Sequence, residues 1–231
     1  MVGMTRPGAY AQFMSIPAKC LIEIPAGMSA VHASVTEPAA TALHALHIAM
    51  RALVRPIAEC SVLVIGGGAI GMFTALLLKH FGVRSAVVAE VNALRRASIE
   101  KHTGFRTYSP IDGPPPKEGS CELVVDAVGA KVTRVAAMAA VKAGGVFMHI
   151  GLQDWASEID MRKLTLAEIT LIGTYTYSQM DLRATVDLLH ANAFGDLGWI
   201  EIRALSDGAK AFHDLDKGLT ASAKIILQPI H

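Results

Sequence analysis

A glycine-rich run is the feature of this sequence whose residue types and spacing point most directly to chemistry. Gly66, Gly68 and Gly71 stand in the spacing G-x-G-x-x-G. The run follows an apolar segment at residues 61–65 and opens a helical segment at residues 69–81, which is the context this motif requires. Gly66 permits a tight turn, Gly68 lets the backbone approach a pyrophosphate, and Gly71 allows the helix to pack closely. The pattern predicts a dinucleotide site.

An acidic residue follows the glycine run at the distance expected for such a site. The N–H groups of Ala69 and Ile70, at the start of the helix, are predicted to face the phosphates. Glu90 ends the next apolar segment, nineteen positions after the last glycine. A carboxylate there accepts hydrogen bonds from the adenosine ribose and repels a 2′-phosphate, which favours NAD over NADP. Arg95 or Arg96 could weaken that preference by turning toward a 2′-phosphate. A plain tight turn and a solvated strand end are the alternatives.

The segments that must position these residues alternate between strand-like and helix-like patterns. Apolar runs predict strands at residues 61–65, 86–90, 107–108, 123–127, 146–150 and 169–172. Helices are predicted at residues 69–81, 92–102, 131–141 and 182–190, and a proline-rich loop at residues 109–120. This order predicts an α/β fold with a Rossmann doubly wound parallel sheet.

The two ends of the chain do not continue the alternation. A short strand is predicted at residues 10–16 and helical material at residues 29–50. After residue 190, a helix from about residue 206 precedes a strand at residues 223–227. We interpret both ends as pieces of a second domain that is incomplete here. Without its partner, we expect the apolar faces of residues 10–16 and 39–46 to form an exposed patch.

Composition excludes several classes of partner. The net charge is +1 and no block of like charges occurs, so neither nucleic acid nor an anionic membrane is expected as a partner. The longest apolar stretch, residues 62–81, is broken by glycines and by Lys79 and His80, so we do not expect it to span a membrane. No signal peptide is recognisable, so we expect a cytoplasmic protein. Three widely spaced cysteines predict small buried residues rather than a disulfide or zinc framework.

Several segments resemble one family of dehydrogenases. Residues 37–45, from Glu37 to Ala45, resemble the EP-x-x-x-x-x-H-A segment common in sorbitol and threonine dehydrogenases. Residues 8–13 resemble the G-x-[FY]-A-E-[YF] strand of the same proteins. Further matches lie at residues 125–129, 144–145, 150–152, 173–175 and 224–229. With the glycine run, the chain resembles a medium-chain dehydrogenase/reductase of the zinc-dependent alcohol and polyol branch, over nearly its whole length.

The resemblance implies roles for further residues. Glu37 would lie beside the catalytic zinc, as a ligand or behind the ligands, and Thr41 would pack against the nicotinamide. Tyr177 would face the substrate cleft. Thr176 stands where polyol-specific relatives often carry an arginine, which weighs against a polyol substrate. Leu152, Thr174 and Thr176 would lie where backbone groups of the family hold the carboxamide of the cofactor, and Val128 would also contact the cofactor.

The resemblance also implies an organisation and a departure from it. Residues 1–50 and 191–231 would be parts of a GroES-like catalytic domain around an NAD-binding domain at residues 51–190. The edge strand from Ile169 to Tyr175 would join a homodimer or homotetramer. The family's first zinc ligands and proton relay, which precede the G-x-[FY]-A strand, have no counterpart here, so Glu37 is not expected to hold zinc tightly. His44 and His47 could share a helix face, although packed or capped helix histidines are commoner.

Three hypotheses follow for function. The first is an NAD-dependent oxidoreductase of the alcohol and polyol dehydrogenase type, which transfers hydride between a secondary alcohol and NAD. The second is a non-catalytic or truncated NAD(H)-binding remnant. The third, a zinc-independent reductase related to quinone reductases, is disfavoured by Glu37 and by Glu90.

Overall fold

The computed structural model describes residue 3 and residues 5–229, and within them helices alternate with strands. The helices are α1 Ala30–Ser34, α2 Thr36–Ala52, α3 Ala69–His80, α4 Ala93–Thr103, α5 Lys131–Ala140, α6 Met161–Leu166, α7 Gln179–His190 and α8 Gly208–Asp216. The strands are β1 Ser61–Ile65, β2 Ser85–Ala89, β3 Arg106–Tyr108, β4 Cys121–Asp126, β5 Val141–His149, β6 Thr170–Gly173, β7 Ile200–Ala204 and β8 Lys224–Gln228.

The main sheet has six parallel strands in the order β3-β2-β1-β4-β5-β6. Strand β1 pairs with both β2 and β4, so the order of strands reverses between β1 and β4. Ligands of open α/β sheets bind beyond the carboxyl ends of the strands at this point of reversal. The predicted Rossmann doubly wound sheet is confirmed, and the glycine run lies at the reversal.

Alternate side chains of each strand enter two separate cores. Val62 and Val64 of β1 pack with α2, α3 and α7, whereas Leu63 and Ile65 pack with α5 and α6. This separation follows from the twofold alternation of side chains along a strand. The crossover from β3 to β4 contains no helix among the described residues, because residues 109–120 form a loop with three consecutive prolines.

Helix α2 is buried, contrary to the expectation that residues 39–46 expose an apolar face. Leu43 and Leu46 are each 1% exposed or less, and they belong to the same core as α3 and α7. The expectation was wrong because α2 packs on α3 and α7 of this chain. Small residues on α2 allow this close approach, and all of its alanines from 39 to 49 are fully buried.

The amino-terminal segment forms no strand, and the prediction for residues 10–16 was wrong in that respect. Tyr10 and Phe13 are 71% and 85% exposed, so the expected exposed apolar patch is present in this segment. Tyr10 contacts only the edge of Phe212, with ring centroids 5.6 Å apart, among the aromatic pairs described. A strand needs a hydrogen-bonded neighbour, and the described residues supply none to this segment.

The carboxy-terminal part forms a separate two-stranded parallel sheet of β7 and β8. The predicted helix and last strand are found as α8 and β8, whereas β7 was not predicted. Of the cysteines, Cys60 and Cys121 are buried as expected, but Cys20 is exposed, so the prediction of burial is wrong for that residue. None of the helices in the described part of the chain is long and apolar enough to cross a bilayer.

Candidate functional site

The glycine run forms a tight turn that no other residue type would fit at two of its positions. Gly66 has a φ of 98°, and a Cβ there would lie 2.5 Å from the Cγ2 atom of Val128. A Cβ on Gly71 would lie 1.8 Å from the carbonyl oxygen of Gly66. The turn and the first turn of α3 are therefore in direct backbone contact, as the tight-turn and close-packing roles require.

Gly68 differs from its neighbours because it faces open space. It is the N-cap of α3, with φ −69° and ψ −172°, and no atom lies within 4 Å of the position that a Cβ would take. Met72 is the first residue to donate within the helix, to the carbonyl of Gly68 at 2.8 Å. The N–H groups of Ala69 and Ile70 thus have no acceptor inside α3. Together with the helix dipole, they make this space suitable for an anion.

Glu90 follows β2 and is only 6% exposed, so it is not the solvated strand end of the alternative interpretation. Its Oε2 accepts the N–H of Gly67 at 2.6 Å, and its Oε1 accepts the N–H of Asn92 at 2.7 Å. Its own N–H donates to the carbonyl of Tyr108. The carboxylate is therefore held rigidly against the glycine turn, and each oxygen retains a lone pair.

The two arginines that could weaken the preference for NAD both donate to backbone carbonyls. Arg96 donates from one guanidinium nitrogen to the carbonyls of Glu90 and Val91, both at 2.8 Å. Arg95 donates to the carbonyl of Leu215 at 3.3 Å, and its Nε is buried without a hydrogen-bond partner. Both guanidinium groups are thus already held by backbone carbonyls, although Arg95 keeps an unused donor.

The loop after β4 is organised by Asp126, which is fully buried. Its Oδ1 accepts the N–H groups of Val128 and Gly129 at 3.0 and 2.9 Å. Gly129 touches the loop after β5, since a Cβ there would lie 1.9 Å from the carbonyl oxygen of Gly151. Asp126 therefore places Val128 against Gly66 and fixes the loop that leads to Leu152.

Arg134 of α5 ties the same two loops together and was not singled out from the sequence. It is 7% exposed, and it donates to the carbonyls of Gly129 and Asp154 at 2.9 and 2.6 Å. Its Nε donates to Nε2 of His149 at 3.0 Å, which assigns the proton of a neutral imidazole to Nδ1. Burial lowers the pKa of His149, which agrees with that neutral form. No sequence motif marks Arg134, because two of its four partners are backbone carbonyls and the other two, His149 and Ser157, lie 15 and 23 positions away.

The residues expected near a carboxamide follow β5 and β6. Leu152 is 74% exposed. The hydroxyl of Thr174 is buried and has no hydrogen-bond partner. Thr176 has a φ of 52°, a left-handed conformation that is uncommon for a threonine and typical of functional loops. An unpaired buried hydroxyl is available to a ligand.

Glu37 and Tyr177 come together although 140 positions separate them in the sequence. Burial raises the pKa of the Tyr177 phenol, and the nearby carboxylate of Glu37 raises it further. Glu37 lies exposed in the first turn of α2. Thr41 follows one turn later, is 9% exposed, and donates from its hydroxyl to the carbonyl of Glu37 at 3.2 Å. These three residues therefore line the same end of α2.

His44 and His47 do share a face of α2, and both contact Asp181. Each Nδ1 lies 2.8 Å from a different oxygen of that carboxylate. Ser178 caps α7 and donates to the same carboxylate at 2.5 Å. Burial opposes ionisation of Asp181, but these hydrogen bonds hold its pKa well below the usual range. The cluster joins α2 to α7, so the two histidines have a structural role, as packed helix histidines commonly do.

The donor set does not fit a zinc ion. Among the residues that the structure describes, no three His, Cys, Asp or Glu side chains are grouped so as to hold a metal. A catalytic zinc normally takes three protein ligands. Glu37 has no such co-ligands in the described part of the chain.

Comparison with known proteins identifies the family. The family model for zinc-binding dehydrogenases matches residues 69–191, which is more than half of the chain. The chain belongs to the zinc-binding dehydrogenase family. The resemblance drawn from the Glu37 segment and the glycine run is thereby confirmed.

Individual relatives agree with this assignment. The chain is 37% identical to L-threonine 3-dehydrogenase of Coxiella burnetii (strain RSA 493 / Nine Mile phase I) over 100 residues, which is 43% of this chain and 28% of that protein. Acetophenone reductase from Geotrichum candidum NBRC 4597, solved in complex with NAD, superposes with a TM-score of 0.83 at 24% identity, covering 96% of this chain and 62% of that one.

A zinc-binding dehydrogenase from Sinorhizobium meliloti 1021, solved bound to NADP, superposes with a TM-score of 0.81 at 23% identity. That match covers 100% of this chain and 68% of the other. At these identities the solved structures establish the shared fold. The chain thus spans under a third of the threonine dehydrogenase it matches and under two thirds of the acetophenone reductase.

Proposed function

We propose that this chain binds NAD(H) and forms the cofactor-binding part of an NAD-dependent oxidoreductase, one that transfers hydride between a secondary alcohol and NAD. The observation that carries the proposal is the open space at Gly68. It is bounded by two glycines that the turn requires and by unpaired N–H groups of α3, and it lies where the strand order reverses. A pyrophosphate is the chemical group that such a space accommodates.

The described residues fit the remaining parts of NAD. Glu90, fixed by two backbone N–H groups, would accept the ribose hydroxyls and disfavour a 2′-phosphate. Arg95, in the helix that follows Glu90, keeps an Nε without a hydrogen-bond partner. The unpaired hydroxyl of Thr174 would hold the carboxamide, together with the backbone at Val128, Leu152 and Thr176. When bound, the nicotinamide accepts or gives the hydride, and the protein orients it.

Around the reacting end, three residues at one end of α2 have proposed roles. Thr41 would pack on the nicotinamide, and Tyr177 would face the alcohol. Glu37, which lies near Tyr177, would take part in transferring the proton of the alcohol. Residues 51–190 would form the NAD-binding domain, with residues 1–50 and 191–231 belonging to a GroES-like catalytic domain. Zinc enters no step here, because Glu37 alone does not hold it.

Self-association is proposed through the edge of the main sheet. Strand β6 pairs with β5 on one side and ends the sheet on the other. Large apolar side chains in the segment between β5 and β6 are exposed, including Trp155 at 102% and Leu166 at 70%. A second copy that paired with β6 across a twofold axis would satisfy the open edge and cover these side chains.

An NAD(H)-binding chain without dehydrogenase activity of its own is the second candidate function. The donor set around Glu37 favours it, because a zinc-type mechanism needs ligands that the described residues do not group there. Both candidates require NAD(H) binding, and they differ only in turnover.

Fluorescence titration with NADH and with NADPH tests the common part of both proposals. Saturable binding that prefers NADH supports the site, and failure to bind either cofactor overturns both. Turnover of a panel of secondary alcohols with NAD and added zinc then separates them. Activity of the chain itself supports the oxidoreductase, and binding without turnover supports the second candidate.

A further inference from the structure

A second cavity lies far from the glycine turn, beneath the crossover between β3 and β4. Its volume is about 540 Å³, within the ~300–1,000 Å³ range of small-molecule sites. Its wall includes the first residues of four strands, Ser61, Ser85, Arg106 and Cys121. The cofactor site lies beyond the carboxyl ends of the same strands, so the two sites occupy opposite ends of the sheet.

The absence of a crossover helix in the described chain explains why the cavity exists. Strands β2 and β3 are covered by α3 and α4 on one face only, while α5 and α6 cover the other face over β4 to β6. Over β2 and β3 that second face carries residues 109–120, whose Pro114 and Pro116 line the cavity. The loop is anchored at its end by a hydrogen bond from Gly119 N–H to the carbonyl of Ala139, 2.9 Å long. The loop therefore covers this face of the sheet without filling the space beneath it, and that space is the cavity.

The charge of the wall is positive and uncompensated. Arg84 and Arg106 both line the cavity, and neither forms an ion pair or side-chain hydrogen bond with any residue that the structure describes. None of the lining residues is acidic. Nearby Glu122 is neutralised by Arg55 and Lys142, and Glu100 accepts hydrogen bonds from Thr107 at the rim. Two guanidinium groups are thus free to bind an anion.

The neutral groups of the wall are hydrogen-bond donors. The hydroxyls of Ser61 and Ser85 lie 3.4 Å apart on neighbouring strands. Burial raises the pKa of both the Tyr108 phenol and the Cys121 thiol, so both stay protonated near neutral pH and add no negative charge. Guanidinium and hydroxyl donors in one cavity suit a phosphate, whose oxygens accept two parallel N–H bonds from an arginine.

We propose that this cavity binds a phosphorylated small molecule, with Arg84 and Arg106 holding its phosphate and the apolar wall its organic part. Val87 and Tyr108 supply that wall beside the phosphate-binding end. The site is independent of the cofactor site and does not require the proposed function to hold. Its occupant would also contact β2, the strand that precedes Glu90, because Ser85 and Val87 line the cavity.

Amide chemical shifts of the full ¹⁵N-labelled chain test the proposal, with inorganic phosphate and glycerol 3-phosphate as probes. Sodium chloride at equal ionic strength is the reference, and the titration is run with and without saturating NADH because phosphate can also enter the glycine turn. We expect saturable shifts at residues 84–87 and 106–108 that persist with NADH, and tighter binding of glycerol 3-phosphate than of phosphate. Shifts confined to residues 66–71, or abolished by NADH, would overturn the proposal.

Arginine variants provide the second arm. Arg84→Gln and Arg106→Gln should each weaken glycerol 3-phosphate binding by about tenfold, the loss expected for one charge-assisted contact. Arg162→Gln is the matched control, since Arg162 is also exposed and lies outside the cavity, and its affinity should not change. Both cavity arginines are exposed, so their replacement should leave the spectrum otherwise native. Wild-type affinity in both variants would refute the assignment.

Discussion

Replacing Gly68 with alanine separates the structural role of the glycine run from its role in binding. A Cβ at this position meets no atom within 4 Å, and the backbone angles are ones that alanine adopts readily. Alanine reduces the entropy of the unfolded chain, which favours the native state by about 0.4–1 kcal/mol, but it is a poorer N-cap than glycine. We expect the free energy of unfolding to change by less than about 1 kcal/mol.

The effect on the cofactor should be much larger. The added methyl group would occupy the space in front of Ala69 and Ile70, where the pyrophosphate is proposed to lie. Hydrogen bonds to charged groups contribute about 1.5–3 kcal/mol each, so the loss of two weakens NADH binding by at least about a hundredfold. The mutation should therefore weaken NADH binding strongly in a protein of nearly unchanged stability.

Two other glycines serve as controls in the same assays, urea unfolding and NADH fluorescence titration. Gly71→Ala places a methyl group 1.8 Å from a backbone oxygen, and we expect it to destabilise the chain by more than about 3 kcal/mol. Gly208→Ala, on α8, meets only the end of the Leu227 side chain at 3.2 Å and should alter neither property strongly. Wild-type NADH affinity in Gly68→Ala would refute the placement of the pyrophosphate.

Three further predictions concern buried carboxylates. Burial disfavours the charged form of Glu122, but Lys142, the Ser61 N–H and Arg55 lower its pKa to about 2. A carboxylate whose pKa is lower in the folded state stabilises the fold at pH values above its unfolded pKa, and this stabilisation is lost as the pH falls toward the folded pKa. Glu122→Gln should therefore lower the free energy of unfolding by about 2 kcal/mol at pH 7 and by progressively less below about pH 4.5, measured by urea unfolding. Asp181→Asn should lower stability by about 2 kcal/mol with the same sign of pH dependence, and an unchanged melting temperature at pH 7 would contradict the clamp between α2 and α7. Glu90→Gln should raise the affinity for NADPH relative to NADH at least about tenfold, and an unchanged ratio in paired titrations would show that this charge does not select the cofactor.

Local patterns explain why much of the fold could be predicted from the sequence. The strands of the main sheet are buried on both faces, so they stand out as short apolar runs bounded by glycine. The glycine turn is equally local, because the Gly66 φ of 98° and the contact between Gly71 and Gly66 arise within six residues. Glu90 could be predicted because the spacing from turn to strand end is set by one helix and one strand.

The errors and omissions all involve contacts between distant segments. The burial of α2 depends on its packing against α3 and α7, which no pattern within residues 36–52 encodes. Two of the four groups that Arg134 binds are backbone carbonyls, which every residue type provides. The other two, His149 and Ser157, lie 15 and 23 positions away, so no local pattern marks the residue. Strand β7 depends on pairing with β8, twenty-four positions later in register.

By itself, the sequence determined the strands of the main sheet, the glycine turn with Glu90 beyond it, and the resemblance that the family match confirmed. Only the tertiary structure decided that Asp181 engages both helix histidines, that Glu37 lies near enough to Tyr177 to raise its pKa, and that the crossover loop leaves a positively charged cavity over β2 and β3. The physical reason is one of range. Backbone conformation and burial periodicity act between near neighbours, whereas these sites arise where segments far apart in the chain pack together.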